Sequence, residues 1–256
     1  SEVTPMTAFL LGEVCTEAGL PKGVLNIVHG LGTSTGQAIV EHPKIKAISF
    51  TGGTETGKRI AAIAAPMFKK MSLELGGKNP TLVFADCDFD ITVKEVARSA
   101  FSNQGQICLC ASKLLIEEKI YTAFKTAFLA AVSALQVGSP DDSNTDLGAV
   151  ISKAHQQKIL SFIDSAKAAG ATIHQAALPE TLSNGTFVAP TVIEGLSSDH
   201  VCMKSEIFGP VVCLYPFKDE ADALALANDN AIERPSTSHF SIVDQQGNAV
   251  SMTSRI

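Results

Sequence analysis

No cluster of lysines or arginines occurs anywhere in the 256-residue sequence, and its formal net charge is −6. A nucleic-acid duplex or an anionic membrane surface is therefore not an expected partner, because both are held by concentrated positive charge. No apolar run approaches the roughly 18 residues needed to span a bilayer. The opening residues, SEVTPMTAFLLGEV, carry neither a basic flank nor a cleavage site, so no secretory signal is expected there. Internal repeats and low-complexity segments are also lacking. The six cysteines (Cys15, Cys87, Cys108, Cys110, Cys202 and Cys213) follow no small-scaffold rhythm. In a chain of this length they point to reduced thiols and a cytoplasmic setting. What the sequence does have is apolar content: 45% hydrophobic residues are enough for one large core or two ordinary domains.

The apolar residues fall in an alternating order. Residues 5–18 carry helical spacing and stop at Gly19. GVLNIVHG (23–30) reads as a buried strand, followed by Gly30, Gly32 and Gly36 and a second helix to about Glu41. AISFTGG (47–53) is a strand and TETGKRIAAIAA (54–65) a helix. TLVFADCD (81–88) is strand-like, and ITVKEVARSAFSNQG (91–105) is a helix. A long helix lies within 114–135, a polar loop over 139–148, and further helices over 154–170 and 220–229. This alternation predicts βαβ units and a largely parallel sheet, an α/β fold. From about Ile232 the pattern becomes strand (HFSIV), polar turn with Gly247, strand (AVSMT), which predicts a β-hairpin.

The stretch NQGQICLC (103–110) sets the functional question. Zinc ligands are normally spaced two to four residues apart with a second pair elsewhere, a pattern that Cys108 and Cys110 do not follow, and the histidines form no matching pair. No metal site is expected. A disulfide between positions i and i+2 would be strained. Two readings remain from the octapeptide alone: a pair of buried small hydrophobes, or a nucleophile and its neighbour.

The motifs around it resemble those of the aldehyde dehydrogenase superfamily. SFTGGTETGK (49–58), SLELGGKNP (72–80), FSNQGQICLC (101–110), SPDDSNTDLGAVISKAH (139–155), FVAPTV (187–192) and SEIFGPVV (205–212) occur in the family's order and at about its spacing. The similarity covers residues 1 to about 231. It implies a partial Rossmann-like NAD-binding domain over 1–75 and a partial catalytic α/β domain over 76–231, followed by a hairpin-like tail over 232–256. By this resemblance Cys108 is the catalytic nucleophile and Glu74 the general base; Cys110 is a neighbour at a variable position. The cofactor is NAD, with Glu2, Gly32, Gly53, Thr54, Leu75, Glu206 and Phe208 on its binding surface. Glu2 corresponds to a carboxylate on the adenine ribose, which would repel a 2′-phosphate and so favours NAD over NADP. Glu206 corresponds to the glutamate that holds the nicotinamide ribose, and Phe208 to the aromatic beside it.

The implied chemistry suits the residue types. A plain aldehyde has no hydride ready to leave, whereas the adduct of a cysteine thiolate with the carbonyl does. The resulting thioester needs water, activated by a carboxylate such as Glu74, to release the acid. Gly52, Gly53 and Gly57 stand at a strand-to-helix turn where a pyrophosphate can reach helix N-terminal amides. The finer resemblance is to semialdehyde dehydrogenases of the 2-aminomuconate and 2-hydroxymuconate type. It implies a small-molecule aldehyde substrate and, in the intact family, a homo-oligomer.

Measured against the family pattern, both ends are short. The family's first cofactor strands, a ribose-contacting lysine and the oxyanion-hole asparagine would precede residue 1, and the elements that close the catalytic half would follow residue 231. The expectation is impaired turnover, with an inactive nucleotide-binding fragment as the alternative. Residues 232–256 resemble instead the start of the γ-glutamyltransferase small subunit, with Thr237 at the position of that family's nucleophile. Such a nucleophile needs a free α-amine as its base, which an internal Thr237 lacks, so a fused hairpin without that activity is expected.

Overall fold

The computed structural model describes residues 2–229 and the backbone of two further strands at 238–243 and 249–254. It divides into two compact units, Ser1–Leu75 and Gly76–Ile256.

In the first unit, helix α1 (Met6–Glu17) ends at Gly19, whose φ of +80° stops the helix as expected. The predicted strand at 23–30 does not form. The segment pairs with no strand among the described residues, and Val24, Leu25 and Val28 are exposed. An apolar run becomes a strand only where a neighbour supplies ladder bonds, and among the described residues this run has none. A wide helical turn at Gly32–Gly36 leads into α2 (Gln37–Glu41). Strand β1 (Ala47–Gly52), helix α3 (Thr54–Ala64) and strand β2 (Lys70–Leu75) then make one parallel βαβ unit. Val40, Ile48, Ile60 and Ala64 form its small core.

The second unit is built on a five-stranded sheet. Its elements in chain order are β3 (Pro80–Val83), α4 (Phe89–Phe101), β4 (Lys113–Glu117), α5 (Glu118–Ser133), α6 (Lys153–Ala168), β5 (Thr172–Gln175), β6 (Thr191–Glu194), α7 (Val201–Lys204), β7 (Val211–Phe217) and α8 (Glu220–Asn228). The strand order is β3-β4-β7-β6-β5, parallel except for the β5–β6 edge pair. Strand alternation divides the core between the two faces. Leu114, Ile116, Val192, Val212 and Leu214 pack with α4 and α5 through Phe101, Phe124 and Phe128. Ile193, Val211 and Cys213 pack with Ile159 and Ile163 of α6 on the other face. Leu114, Leu115 and Ile116 are fully buried, each contributing about 1.5–3 kcal/mol of burial free energy. A strand covered on both faces reads as a continuous apolar run, which is why β4 and α5 merge in the sequence.

Helices α4, α6 and α8 begin at side-chain caps. Asp88 accepts from Ile91 N–H at 3.2 Å, Ser152 from His155 N–H at 3.2 Å and Asp219 from Asp222 N–H at 2.9 Å. The tail forms the expected hairpin, β8 (Ser238–Val243) antiparallel to β9 (Ala249–Ser254) with Phe240 opposite Met252. Thr237 lies outside the described residues. Among the described helices none is long and apolar enough to cross a membrane.

Candidate active site

Helix α4 ends at Phe101, and a left-handed turn follows. Asn103 (φ 49°), Gln104 (φ 57°) and Gly105 (φ 68°) adopt positive φ in succession. Only the last is a glycine, so two side-chain-bearing residues hold a conformation costing roughly 1–2 kcal/mol each, less for asparagine. The surroundings enforce it. Gln106 N–H donates to Asn103 O at 3.0 Å and Asn103 Nδ2 to Gln106 O at 3.3 Å. Gln106 Oε1 accepts from Ile151 N–H at 3.1 Å. Gly105 is buried against Gly209 so closely that a Cβ would overlap the Gly209 carbonyl.

This turn delivers Cys108 to an exposed position and Cys110 to a buried one. Cys110 Sγ–H points to Ser102 O at 3.6 Å, and burial raises its pKa. Cys202 and Cys213 lie in the core with Cys213 Sγ–H directed to Cys202 O at 3.5 Å. Burial pushes Cys202 up to about 12 and also raises Cys213. These three thiols are held protonated and inaccessible. Cys87, at the turn before α4, is half-buried, and Cys108 is the fully exposed cysteine among the described residues of the second unit.

Glu206 lies in the same unit, in the turn between α7 and β7. Its carboxylate accepts from Gly77 N–H and rests on Gly76, where a Cβ would overlap Oε2. The paired glycines of LELGG thus make room for a carboxyl group. Burial raises the Glu206 pKa, opposed by the Gly77 bond and by Lys158 and Lys78. Phe208 follows with φ 59°. His155 Nε2–H donates to Phe208 O at 2.6 Å and the two rings meet edge to face at 6.1 Å, which holds that strained residue. Gly105 and Ile107 share a small cavity with Gly77, Glu206 and Phe208, so the cysteine turn and the Glu206–Phe208 segment are brought together. The structure also adds residues that motif reading left without a role. Lys78 is buried with no hydrogen-bond partner for Nζ among the described residues, and burial lowers its pKa. Asn79, Gln106 and His155 all lie within the quoted motifs. A polar residue in a glycine-rich stretch was the available signal, but which backbone atom each meets is set by tertiary packing.

In the first unit the parallel register places Glu74 opposite Thr51 and Leu75 opposite Gly52. Glu74 is exposed; Leu75 is buried against Gly57, where a Cβ would overlap its side chain. Gly53 caps α3 with open space about it, and Thr54 is the first helical residue. Glu74, Leu75, Gly53 and Thr54 therefore gather at the carboxyl end of two parallel strands, where ligands of open α/β sheets bind. Glu2 stands in an exposed turn ahead of α1, and Gly32 opens the turn before α2.

Two units of α/β structure, one presenting an exposed cysteine on a strained turn and the other a glycine-capped helix at a strand end, describe a general class. The particular family follows from comparison with known proteins. The aldehyde dehydrogenase family model matches residues 1–234. The chain is 44% identical over 235 residues to 2-aminomuconic semialdehyde dehydrogenase of Danio rerio, covering 90% of this chain and 48% of that protein. It is 43% identical to 5-carboxymethyl-2-hydroxymuconate semialdehyde dehydrogenase of Escherichia coli, covering 90% and 50%. Among solved structures, betaine aldehyde dehydrogenase of Staphylococcus aureus in complex with NAD+ superposes with a TM-score of 0.85 at 38% identity, covering 90% and 46%. The chain belongs to the aldehyde dehydrogenase family. It spans about half the length of the relatives it matches. The resemblance of residues 232–256 to γ-glutamyltransferase finds no support in these comparisons.

Proposed function

We propose that this chain carries the cofactor-side and nucleophile-side machinery of an NAD-dependent aldehyde dehydrogenase acting on a semialdehyde. The observation that carries the reading is the contrast between Cys108, exposed on its strained turn, and Cys110, Cys202 and Cys213, all buried. In this reading the Cys108 thiolate attacks the aldehyde carbonyl. The adduct loses hydride and becomes a thioester on the same sulfur. Glu74 draws a proton from water, and that water releases the acid. NAD, when bound, supplies the hydride acceptor. The residues present suit it: Gly53 leaves open space before the α3 amides, and the Gly76–Gly77 backbone seats the Glu206 carboxylate for a ribose hydroxyl pair. Thr54 joins Gly53 on the phosphate side, Glu2 and Gly32 serve the adenosine end, and Leu75 and Phe208 pack at the nicotinamide end. Residues 1–75 then form the cofactor half and 76–231 the catalytic half, with 232–256 as a tail.

The semialdehyde preference rests on the similarity to the semialdehyde dehydrogenases of both organisms named above. A cytoplasmic location and a homo-oligomeric assembly belong to the same proposal, with neither nucleic acid nor membrane as partner. The test is NADH formation from a panel of semialdehydes by the wild-type chain and by two variants. Cys108→Ser should abolish it, and Cys110→Ser should retain most of it. NADH formation by Cys108→Ser at the wild-type rate would refute the assignment.

A further inference from the structure

We infer that Asn79 is a positioning residue for the nucleophile turn, through the carbonyl groups on either side of Leu109. The inference rests on the reading of Cys108 as nucleophile but uses a residue to which that reading gives no part. Asn79 stands immediately before β3. Its Nδ2 donates to Cys108 O and to Cys110 O, the latter at 3.2 Å. An amide has two N–H donors on one nitrogen, and here both meet main-chain acceptors of a single turn. Only the nitrogen can face this pair, since Oδ1 in its place would set three acceptor oxygens together. The Asn79 main chain makes a separate set of bonds: its carbonyl accepts from Ser112 N–H and Lys113 N–H, both at 3.2 Å. The backbone thus joins β3 to the start of β4, while the side chain does something else.

What it does follows from the geometry of 107–110. That segment closes on itself with one bond, Cys110 N–H to Ile107 O at 3.0 Å. Ile107, Cys108 and Leu109 are all exposed. An exposed three-residue stretch with one internal bond has little to fix it. The upstream turn is fixed by Gln106 and by Gly105 against Gly209. Downstream, Ala111 N–H reaches Ser99 O at 3.3 Å. Between these anchors, beside the weak contact of Cys110 Sγ–H with Ser102 O at 3.6 Å, the Asn79 amide is the side-chain tie to the segment's main chain among the described residues. By holding both carbonyls toward β3 it turns the Cys108 side chain outward and keeps Cys110 inward. The separation of an open thiol from a buried one two residues away is then a property of Asn79.

Labelling the intact chain with iodoacetamide and reading each cysteine by mass spectrometry tests this without requiring turnover. In wild type Cys108 should label well ahead of Cys110. In Asn79→Ala and in the isosteric Asn79→Asp the Cys108:Cys110 rate ratio should fall about tenfold, which is about 1.4 kcal/mol. That is the net worth of one ordinary hydrogen bond. Cys202 and Cys213 should stay protected. Where the chain forms NADH, the pre-steady-state burst rate should fall with KM for NAD unchanged. An unchanged ratio in both variants would overturn the inference. So would a parallel rise at Cys202 and Cys213, or loss of folding in both variants, because Asn79 would then hold the sheet rather than the turn. A fall in the ratio from a wild-type chain that oxidises no aldehyde would support the tie and defeat the dehydrogenase reading.

Discussion

Replacing Gly105 by alanine tests how the cysteine turn is held, because two separate penalties fall on one methyl group. The first is conformational. Gly105 sits at φ +68°, and a Cβ there costs roughly 1–2 kcal/mol. The second is steric. The new methyl would overlap the Gly209 carbonyl oxygen and approach Pro210 N at 3.1 Å, all of it backbone at the entry to β7. A flexible side chain could move aside, but a strand entry cannot, and overpacking of this kind costs about 1–3 kcal/mol. Asn103 and Gln104 are already left-handed, so the turn has no slack to absorb the shift. The expected loss is about 2–5 kcal/mol. Gly170 provides the control, with φ +80° and nothing within 4 Å of its Cβ position. Gly170→Ala should therefore show the conformational cost alone. Urea unfolding of both variants, followed by far-UV circular dichroism, measures the difference directly. If Gly105→Ala is no less stable than Gly170→Ala, the close approach of Gly105 to Gly209 does not constrain the turn.

Two further outcomes are expected. Glu74→Gln should slow thioester hydrolysis more than hydride transfer, so stopped-flow absorbance should show a burst of NADH followed by a slow steady rate; loss of the burst as well would give Glu74 an earlier or purely structural role. Burial, with Lys78 nearby, lowers the Lys113 pKa from 10.5 to about 8, with Asp229 opposing. Between about pH 8 and 10.5 the unfolded chain keeps a proton that the folded chain has released. The Lys113 contribution to stability therefore rises with pH, by up to about 1.4 kcal/mol per pH unit. The stability of wild type relative to Lys113→Met should be lowest below pH 8 and recover toward pH 10. Parallel urea midpoints for the two proteins across that range would refute the cause assigned.

Helices with clear caps or stops were legible in the sequence. Gly19 and Gly170 mark the ends of α1 and α6, and both take positive φ in the structure. The strand and helix at 47–64 were also legible, because an alternating strand, a glycine turn and a helical period follow one another without interruption, whereas β2 (Lys70–Leu75), which completes the βαβ unit, was not read as a strand. The central strands were less so. Strand β4 runs directly into α5 at Glu117–Glu118 without a glycine or proline at the junction, so the change of period has no local marker. GVLNIVHG misled for the opposite reason: its composition is that of a strand, but a strand also needs a partner, and composition does not report partners. Of the candidate site, the residue types were legible and the contacts were not. Gly76 and Gly77 announce a close approach, yet that Glu206, more than 120 positions later, is what approaches depends on the packing of the turn before β7.

The glycines of the second unit explain why so much of the site lies in exact sequence positions rather than in general composition. At Gly76 the missing Cβ admits a carboxylate, and at Gly105 it admits another stretch of backbone. Both approaches converge on the turn from Glu206 to Gly209, whose middle residue, Phe208, is itself held left-handed by His155. The cysteine turn and the carboxylate are therefore not independent features. Each packs against the same four residues, Gly105 against Gly209 and Gly76–Gly77 against Glu206. On the proposed reading, with Cys108 as nucleophile and Glu206 on the cofactor, this shared turn would help to keep sulfur and cofactor at a fixed distance. The left-handed Phe208 lies inside this turn, between the Glu206 carboxylate set against Gly76–Gly77 on one side and the Gly209 carbonyl set against Gly105 on the other, so the strained residue sits where the two approaches meet.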